Sequence, residues 1–358
     1  MSPDSKLPLP DHLHDRYSRQ VILPGIGEAG QQAIAQARAV VVGCGALGCT
    51  ILDQLARAGI GRLSILDRDI VEWTNLQRQV LFDEEDAQAG TPKAIAARNR
   101  IARINSAISV AAHIADLNHE NAQALILADN PPDVILDGTD NLETRYLLND
   151  LAVKHGIPLI YGGVIARRGM QFTIRPGRGP CLRCVFPEPT AGAVETCDTA
   201  GVLGPAVSIS ASLQVSAALD LIVARDRDVP PLLTEFDLGT GRFRTLDLSN
   251  LSGARSREQC ICCGQSRYEF LSGERVRPAV SLCGRGAFQV AAGPHGIDLA
   301  SLAKRVSRVS PVTSNEFFVR IRPREGIEMT VFADSRAVVR GAANDGEARS
   351  LYDRYVGV

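Results

Sequence analysis

A short apolar run that ends in closely spaced glycines constrains the fold of this chain more than any other feature. The stretch "ARAVVVGCGALG" places β-branched residues before Gly43, Gly45 and Gly48. "LGCTILDQLARAG" follows, with apolar residues at helical spacing up to Gly59, and then "RLSILD", which has the length of a second strand. These residues predict a strand, a tight glycine turn, a helix and a second strand parallel to the first.

The alternation of strand and helix patterns continues as far as residue 164. Helical patterns occur in "KAIAARNRIARIN", "NHENAQALILAD" and "NLETRYLLNDLAVKHG", and strand patterns in "AISVAAHIA", "DVILDGTD" and "IPLIYGGV". "MQFTIRPG", "LLTEFDLG" and "FRTLDL" add strands that we expect to be antiparallel, on either side of an apolar helix near residues 204–224. We therefore predict the α/β class, with a doubly wound, Rossmann-like, mostly parallel sheet and antiparallel additions.

The chain changes character after residue 250. Residues 251–275, "LSGARSREQCICCGQSRYEFLSGER", are polar and contain cysteines, which is typical of a boundary. Beyond them, four patterns predict a helix, two strands and a helix. We therefore predict a large domain over 1–250, a cysteine-containing loop or linker over 251–275, and a small C-terminal α+β module over 276–358.

Composition excludes several classes of protein. The 358 residues carry a formal net charge of -1, so no bulk attraction to nucleic acid or to an anionic membrane is expected. We expect that no apolar run approaches the roughly 20 residues of a membrane span. The start, "MSPDSKLPLPDHLHDRY", lacks the apolar core of a secretion signal and is expected to be a disordered lead-in. Nine cysteines without an export signal favour metal or thiol chemistry over disulfides. We expect a cytoplasmic protein.

The motif "GCGALG" matches the glycine fingerprint of nucleotide-binding proteins. Its glycines allow a tight turn and a close approach of phosphate to the backbone, while the helix that follows offers amide donors at its N-terminus. Asp67, at the end of "RLSILD", is placed to bond a ribose hydroxyl, and Asp69 follows two residues later. Alone, this motif most often indicates a dinucleotide, and a glycine turn without a ligand is the alternative.

A polar loop and two cations favour a triphosphate instead. The loop "WTNLQRQ" contains Asn75, Gln77, Arg78 and Gln79. Arg78 and Lys93, in "GTPKAIAA", place two positive charges at this edge of the sheet, where backbone amides alone hold a dinucleotide's pyrophosphate. Attack on the α-phosphate of a triphosphate needs more positive charge, because charge builds on the phosphoryl oxygens. Asp140, in "LDGTDN", offers a carboxylate to magnesium. Each charge alone would be an ordinary surface residue, so the prediction rests on their joint occurrence.

Four of the cysteines form two CxxC pairs. The pairs are Cys181 with Cys184 and Cys260 with Cys263. Four thiolates in two such pairs make a closed, tetrahedral, structural zinc site. The stretch "CICC" leaves Cys262 as an alternative ligand. The remaining cysteines have weaker signals: Cys44 and Cys49 are expected to be small core residues, and Cys283 has no clear role.

The chain resembles the ThiF/HesA/MoeB family, the bacterial relatives of ubiquitin-activating enzymes. The matching stretches occur in family order across roughly residues 15–265: "RYSRQVILPGIGEAGQ", "GCGALG", "LDRDIVEWTNLQRQ", "GTPKA", "DGTDN", "CLRCVFPEP", "TCDTAGVLGP" and "CICCG". After residue 275, "FADSRAVVRG" and "EARSLYDRYVG" are similar to the small C-terminal module of longer ThiF-type proteins.

The resemblance implies an ATP- and magnesium-dependent adenylation of the C-terminal glycine carboxylate of a ubiquitin-like protein, with release of pyrophosphate. It implies that Asp67 binds the ribose, that Arg78 and Lys93 bind the phosphates, and that Asp140 binds magnesium. The residues that line the rest of the ATP site would be Gly43, Gly45, Gly48, Asp69, Asn75, Gln77 and Gln79. Arg19, in "RYSRQ", would act on the phosphates of the neighbouring subunit, which implies a homodimer.

The resemblance also assigns the cysteines. Cys260 and Cys263 become the second pair of zinc ligands because Gly264 follows them as in the family, and Cys262 is then a spare thiol. Cys197, in "ETCDTAGVLGP", stands where the family often has a cysteine that takes part in thioester or persulfide chemistry. The alternative is that Cys197 is inert, because adenylation by itself needs no enzyme thiol.

The resemblance, together with the charged residues of the site, therefore predicts an ATP-dependent adenylyltransferase that activates a ubiquitin-like sulfur-carrier protein of the ThiS or MoaD type. The product would serve sulfur transfer in thiamin or molybdenum-cofactor biosynthesis, with a sulfur-donor protein as a further partner. Adenylation of a peptide or of a tRNA-base carboxylate is the alternative. An NAD-dependent oxidoreductase would leave Arg78, Lys93 and Asp140 without a role, and the intact set of motifs counts against a silent scaffold. Membrane and nucleic-acid partners are not expected.

Overall fold

The computed structural model describes residues 11–128, 130–188, 200–251, 257–275, 281–282, 287–290 and 296–357. The chain divides into two compact units, Met1–Arg275 and Val276–Val358. The cysteine-containing residues 257–275 belong to the first of these units.

The first unit alternates helices and strands along the chain. Its helices are α1 (Asp11–Val21), α2 (Gly27–Gln36), α3 (Ala46–Ala58), α4 (Glu84–Ala89), α5 (Lys93–Ile104), α6 (Ala122–Leu127), α7 (Leu142–His155), α8 (Leu182–Val185) and α9 (Gly204–Val223). Its strands are β1 (Arg38–Val42), β2 (Arg62–Asp67), β3 (Ser109–Ile114), β4 (Val134–Asp137), β5 (Leu159–Ile165), β6 (Arg168–Ile174), β7 (Leu232–Asp237) and β8 (Arg242–Asp247). A short 3-10 turn, Trp73–Asn75, follows β2.

The eight strands form one sheet in the order β3-β2-β1-β4-β5-β6-β7-β8. The five strands from β3 to β5 in this order pair in parallel. The strands β6, β7 and β8 then add in antiparallel fashion at one side. The predicted fold class, a doubly wound and mostly parallel sheet with antiparallel additions, is confirmed.

Both faces of the sheet are covered, because the apolar residues of its central strands alternate between two cores. In β1, Ala39 and Val41 face one core, and Val40 and Val42 face the other. The first core is completed by residues of α3, α5 and α9. The second contains residues of α6 and α7 together with the cysteine segments around residues 181–184 and 260–271. The cysteine segments are therefore part of the α/β core.

Two expectations about the chain's ends and membranes need correction. The polar start was expected to be disordered, but helix α1 already begins at Asp11. No run was expected to approach the length of a membrane span, yet α9 has 20 residues and a mean hydropathy of 1.7. Within the described residues, α9 alone has this length and hydropathy, and the core helix of a water-soluble protein passes the same test. It contributes Val207, Ala211 and Val215 to the core beneath the sheet.

The second unit is an antiparallel sheet with two helices. Its strands are β9 (Ser281–Leu282), β10 (Ala287–Val290), β11 (Val312–Ser314), β12 (Phe318–Arg324), β13 (Ile327–Phe332) and β14 (Ala337–Arg340), in the sheet order β11-β12-β13-β14-β10-β9. Its helices are α10 (Leu299–Val306) and α11 (Asp345–Tyr355).

The α+β character of the second unit agrees with the prediction, but the expectation of only two strands was wrong. The stretch "MTVFADSRAVVRG" folds into a hairpin of β13 and β14. A turn divides it, in which Ser335 is buried and adopts a positive φ of 67°. The oxygen Oδ1 of Asp334 accepts a hydrogen bond from the amide of Arg336 in the same turn. A short polar turn between apolar residues was not recognised as a break in the strand pattern.

Candidate active site

The turn between β1 and α3 requires glycine at two of the three motif positions. Gly43 has a φ of +88°, and a Cβ atom there would lie 2.7 Å from the carbonyl oxygen of Gly138. A Cβ atom on Gly48 would lie 1.8 Å from the carbonyl oxygen of Gly43. Gly138 follows β4, so the turn lies between the carboxyl ends of β1 and β4. Successive strands are added in opposite directions from this point, which is where open α/β sheets bind ligands.

Asp67 links the end of β2 to the glycine turn. Its Oδ2 accepts a hydrogen bond of 2.6 Å from the amide of Cys44, and its Oδ1 accepts one of 2.7 Å from the amide of Asp69. Burial raises the pKa of the Asp67 carboxyl, and the positive charge of Lys93 opposes that shift. Each carboxylate oxygen can accept a second hydrogen bond, so this arrangement is compatible with a ribose hydroxyl as a further partner.

Lys93 is buried at the first position of α5, directly after the N-cap Pro92. Its Nζ lies 3.0 Å from Oδ2 of Asp69, and its amide donates to the carbonyl oxygen of Asp69. Both the backbone and the side chain of Lys93 are therefore held against the turn that follows β2. A buried cation in one position costs little reorganisation when an anion binds beside it.

The loop of residues 73–79 is shaped by its own polar groups. Asn75 is buried, and its Oδ1 accepts a hydrogen bond from the amide of Glu72. Arg78 is partly exposed and donates from Nη1 to the carbonyl oxygen of Thr74 at 2.8 Å. Gln79 is buried and Gln77 is exposed. Asn75 therefore has a clear structural role in the turn, in addition to any contact with a ligand.

Asp140 lies in the exposed loop that follows β4, at the same edge of the sheet as the glycine turn. Two charged residues beside it were missed in the sequence. Asp137, the last residue of β4, is buried, and Nε of Arg145 lies 3.3 Å from its Oδ2. Burial raises the pKa of the Asp137 carboxyl, and the charge of Arg145 opposes the shift. An acidic residue that ends an apolar strand needs a buried partner, which is the signal that sequence reasoning overlooked.

Arg19 is not brought to this site within its own chain. Helix α1 is anchored by Tyr17, which packs on Gly59, and by Gln20, which donates to the carbonyl oxygen of Ala58. Those anchors lie at the C-terminal end of α3, whereas the glycine turn lies at its N-terminal end. The 13 residues of α3 make these ends about 20 Å apart. The side chain of Arg19 is exposed.

The structure brings together the four cysteines that were predicted as metal ligands. The Sγ atoms of Cys181, Cys184, Cys260 and Cys263 all lie within 4.8 Å of one another. Three of the separations are 3.9 Å between Cys181 and Cys184, 3.6 Å between Cys181 and Cys260, and 3.4 Å between Cys184 and Cys263. Sulfurs bound to one zinc ion at about 2.3 Å in a tetrahedron are about 3.8 Å apart, so the four thiols fit a structural zinc site.

Cys262 is not one of these four thiols, although its side chain lies close to Cys181 and to Asp150. The buried thiol of Cys262 accepts a hydrogen bond from Nδ2 of Asn149 in α7 at 3.3 Å. A tight turn sets this arrangement, in which the amide of Gly264 donates to the carbonyl oxygen of Cys260. A Cβ atom on Gly264 would lie 2.4 Å from the carbonyl oxygen of Arg257. The glycine after the second pair therefore has a steric reason.

Buried polar residues that the sequence did not reveal hold the two cysteine segments together. Oδ1 of Asn149 accepts from the amide of Leu182, and Oδ2 of Asp150 accepts from the amide of Phe270. Arg183 is buried between the first two cysteines and donates twice to Oε2 of Glu269 at 3.0 Å. One segment thus supplies a cation and the other an anion, and α7 binds both.

Replacing Cys181 or Cys263 with serine is expected to abolish metal binding and to lower stability, because the free energy of binding structural zinc contributes to folding. We expect about one zinc per chain in the native protein by elemental analysis. Cys262→Ser is the matched control and should retain its metal. Loss of zinc in Cys262→Ser together with its retention in Cys263→Ser would show that the ligands within "CICC" are assigned wrongly.

The remaining cysteines divide into two groups. Cys44 and Cys49 are fully buried, as expected of small core residues, and burial raises the pKa of the Cys44 thiol well above its usual range. Cys197 and Cys283 lie outside the described residues, so the role of Cys197 stays a prediction.

A glycine turn at the switch point of a doubly wound sheet, with an acid after β2 and a buried lysine beside it, defines a nucleotide-binding α/β protein. The model of the ThiF family matches residues 17–258, and the chain belongs to the ThiF family. The predicted family is confirmed.

Relatives extend this agreement beyond the family domain. The "Sulfur carrier protein ThiS adenylyltransferase" of Bacillus subtilis is 39% identical over 96% of this chain and 99% of its own length. The "Sulfur carrier protein adenylyltransferase" of Thermus thermophilus is 38% identical over 70% of this chain and 90% of its own. The "Adenylyltransferase and sulfurtransferase MOCS3" of Danio rerio is 39% identical over 70% of this chain but only 52% of its own. The predicted enzyme class, an adenylyltransferase, is confirmed.

Solved structures agree on the fold. A crystal structure of Escherichia coli MccB with MccA-N7isoASN has a TM-score of 0.59 and covers 70% of this chain and 74% of that one. Its sequence identity is 22%, so the likeness concerns the fold alone.

Proposed function

We propose that this protein adenylates the C-terminal glycine carboxylate of a ubiquitin-like sulfur carrier of the ThiS or MoaD type. The observation that carries the proposal is the meeting of the glycine turn, Asp67 and the buried Lys93 at one edge of the sheet. The agreement over 96% of the chain with a relative named for ThiS supports the choice of substrate. The product would serve sulfur transfer in thiamin or molybdenum-cofactor biosynthesis.

The geometry supports a role for each side chain in binding ATP. The turn at Gly43, Gly45 and Gly48 lets phosphate approach the backbone amides at the N-terminus of α3. Asp67, already held by two amides, accepts from a ribose hydroxyl. Lys93 and Arg78 supply positive charge to the phosphates. The residues Asp69, Asn75, Gln77 and Gln79 shape the surrounding wall.

The chemical step is an in-line displacement at the α-phosphorus. A carboxylate oxygen of the carrier's terminal glycine forms a bond to phosphorus as the bond to the pyrophosphate oxygen breaks, and pyrophosphate leaves with the electron pair. The carboxylate is ionised at neutral pH, so no general base is required. The enzyme contributes alignment and charge stabilisation, and the charges of Lys93 and Arg78 are placed for the phosphoryl oxygens.

We assign Asp140 to magnesium, since this exposed carboxylate after β4 is an oxygen ligand of the kind that magnesium prefers. Magnesium bound with the triphosphate would neutralise part of its charge. A thiolate then attacks the acyl carbon of the adenylate, with Cys197 as the candidate: a C–S bond forms as the C–O bond to AMP breaks, and AMP leaves with the electron pair. The resulting thioester is the form that a sulfur-donor protein would act on.

The position of Arg19 supports a homodimer. Its helix is anchored about 20 Å from the glycine turn of the same chain, and its side chain is exposed. A planar guanidinium supplied by a neighbouring subunit could bind phosphoryl oxygens in a bidentate way. We infer that the site is complete only when a second copy provides Arg19, and that the enzyme works as a water-soluble cytoplasmic dimer.

Exchange of labelled pyrophosphate into ATP tests the proposal directly. We expect exchange only when a ThiS-type or MoaD-type carrier with a free terminal glycine is added. The same carrier with its last glycine removed is the matched control and should give no exchange. Exchange that needs no carrier, or that is driven by a short peptide or by a tRNA instead, would refute the proposal and favour the alternative substrates.

A further inference from the structure

Arg145 occupies a position beside the active site that no assigned role explains. It lies in the first turns of α7, and its side chain is 14% exposed. Its Nη2 donates to the carbonyl oxygen of Thr139 at 2.7 Å, and its Nε pairs with Oδ2 of Asp137 at 3.3 Å. A longer contact of 3.4 Å joins Nη2 to the carbonyl oxygen of Gly162 in β5. One guanidinium thus contacts the end of β4 and the middle of the neighbouring strand β5.

These contacts fix the three residues that precede Asp140. Oδ1 of Asp137 accepts from both the amide and the hydroxyl of Thr139, at 2.9 and 2.8 Å. The amide of Gly138 donates to the carbonyl oxygen of Val42 in β1. Residues 137–139 are therefore held on one side by β1 and on the other by Arg145. Asp140, whose carboxylate is exposed, follows immediately, so the backbone that leads into Asp140 is held in one position.

Four further side chains hold this arrangement in place. The guanidinium carbon of Arg145 lies 5.2 Å from the centre of the Tyr161 ring. That ring packs against the ring of Phe186, with 6.2 Å between the two ring centres. The carbonyl oxygen of Phe186 accepts from the hydroxyl of Tyr146 at 2.9 Å, which anchors that ring to α7. On the opposite face of the sheet, Nε2 of the buried Gln214 donates to the carbonyl oxygen of Asp137 at 2.9 Å. Arg145 has few other orientations open to it.

We propose that Arg145 is a positioning residue that holds the loop of Asp140 in the geometry needed to bind magnesium together with ATP. A lysine could not replace it, because the contacts to Asp137, to Thr139 and to the ring of Tyr161 use the planar fork of a guanidinium. The assignment of Asp140 to magnesium rests on the proposed function. The effect on the loop itself does not depend on the carrier, so it is testable without one.

The main test uses Arg145→Lys, which keeps the positive charge and loses the planar guanidinium group. Calorimetric titration of the protein with ATP, with and without magnesium, measures the binding. We expect the magnesium affinity of the ATP complex to fall about 10–100-fold, as for other residues that orient metal ligands. The affinity for ATP without magnesium should change little. In the metal-free protein, hydrogen exchange of the amides at 138–141 should become faster.

Arg183→Lys is the matched control, since Arg183 is also buried, paired to a carboxylate and placed over an aromatic ring. It should lower stability without altering the dependence of ATP binding on magnesium. If Arg145→Lys does not fold, Arg145→Met combined with Asp137→Asn removes both buried charges and should show the same loss. An unchanged magnesium dependence in the folded Arg145 variants, or an equal loss in Arg183→Lys, would overturn the proposal. Absence of carrier-dependent exchange in the native enzyme would refute the proposed function alone.

Discussion

Lys93→Ala is expected to lower the rate of carrier adenylation about a hundredfold or more, because one lost charge contact in a transition state costs about 2.7–4 kcal/mol. The structure strengthens this expectation, since the ammonium group is buried and held by Asp69 before any ligand arrives. Arg78→Ala should give a loss of the same order. Initial rates of pyrophosphate exchange at saturating ATP measure both effects.

The design must separate a catalytic charge from a structural one, because the Lys93 side chain also contacts Asp69 and opposes the raised pKa of Asp67. Asp69→Asn combined with Lys93→Met removes the pair of the buried ammonium and its partly exposed carboxylate partner without leaving either charge alone. This double variant should fold like the native protein and remain as slow as Lys93→Ala. Near-native exchange in the double variant would mean that Lys93 only neutralises Asp69, and the proposed phosphate role would be wrong.

Most of the α/β unit could be predicted from the sequence, because its elements follow strong local rules. Period-2 patterns do not appear in β1 or β4, yet their short apolar runs between helical patterns indicated strands buried on both faces. The second unit was harder to predict. Four of its six described strands have four residues or fewer. The break between β13 and β14 depends on a positive φ at Ser335 that no simple residue rule requires.

The candidate site likewise contains residues that the sequence predicted and residues that only the structure revealed. The residues that we propose to contact the ligand belong to spaced motifs, so Gly43, Asp67 and Lys93 were named from their patterns. Gln214 makes a contact between distant segments, since its partner at the end of β4 lies 77 residues away. Arg145 contacts residues that are nearer along the chain but belong to other elements, at Thr139 and Gly162. Sequence spacing does not encode such long-range partners. The choice of Cys263 over Cys262 rested on resemblance and stays a prediction, which the grouping of the Cys263 sulfur with those of Cys181, Cys184 and Cys260 supports.

Mixing two inactive variants is expected to restore activity if Arg19 acts on the neighbouring subunit. Arg19→Ala and Lys93→Ala should each be inactive alone. In a mixed dimer one site lacks both groups and the other has both, so a co-expressed mixture should recover up to about a quarter of native activity. This value follows because random pairing makes about half of the dimers mixed, and each mixed dimer has one intact site of two in a symmetric assembly. Carrier-dependent pyrophosphate exchange per chain measures it.

Arg78→Ala mixed with Lys93→Ala provides the matched control, because both residues belong to the pocket of one chain. Every site in that mixture lacks at least one group, so no recovery is expected. Helix α1 is anchored at the C-terminal end of α3, about 20 Å from the glycine turn. Arg19 therefore needs a second chain to reach a nucleotide, whereas Arg78 and Lys93 do not. If dimers shown to be mixed by mass recover nothing with Arg19→Ala, this arginine has no role across the interface. The exposed position of its side chain would then be that of an ordinary charge on the surface of a helix.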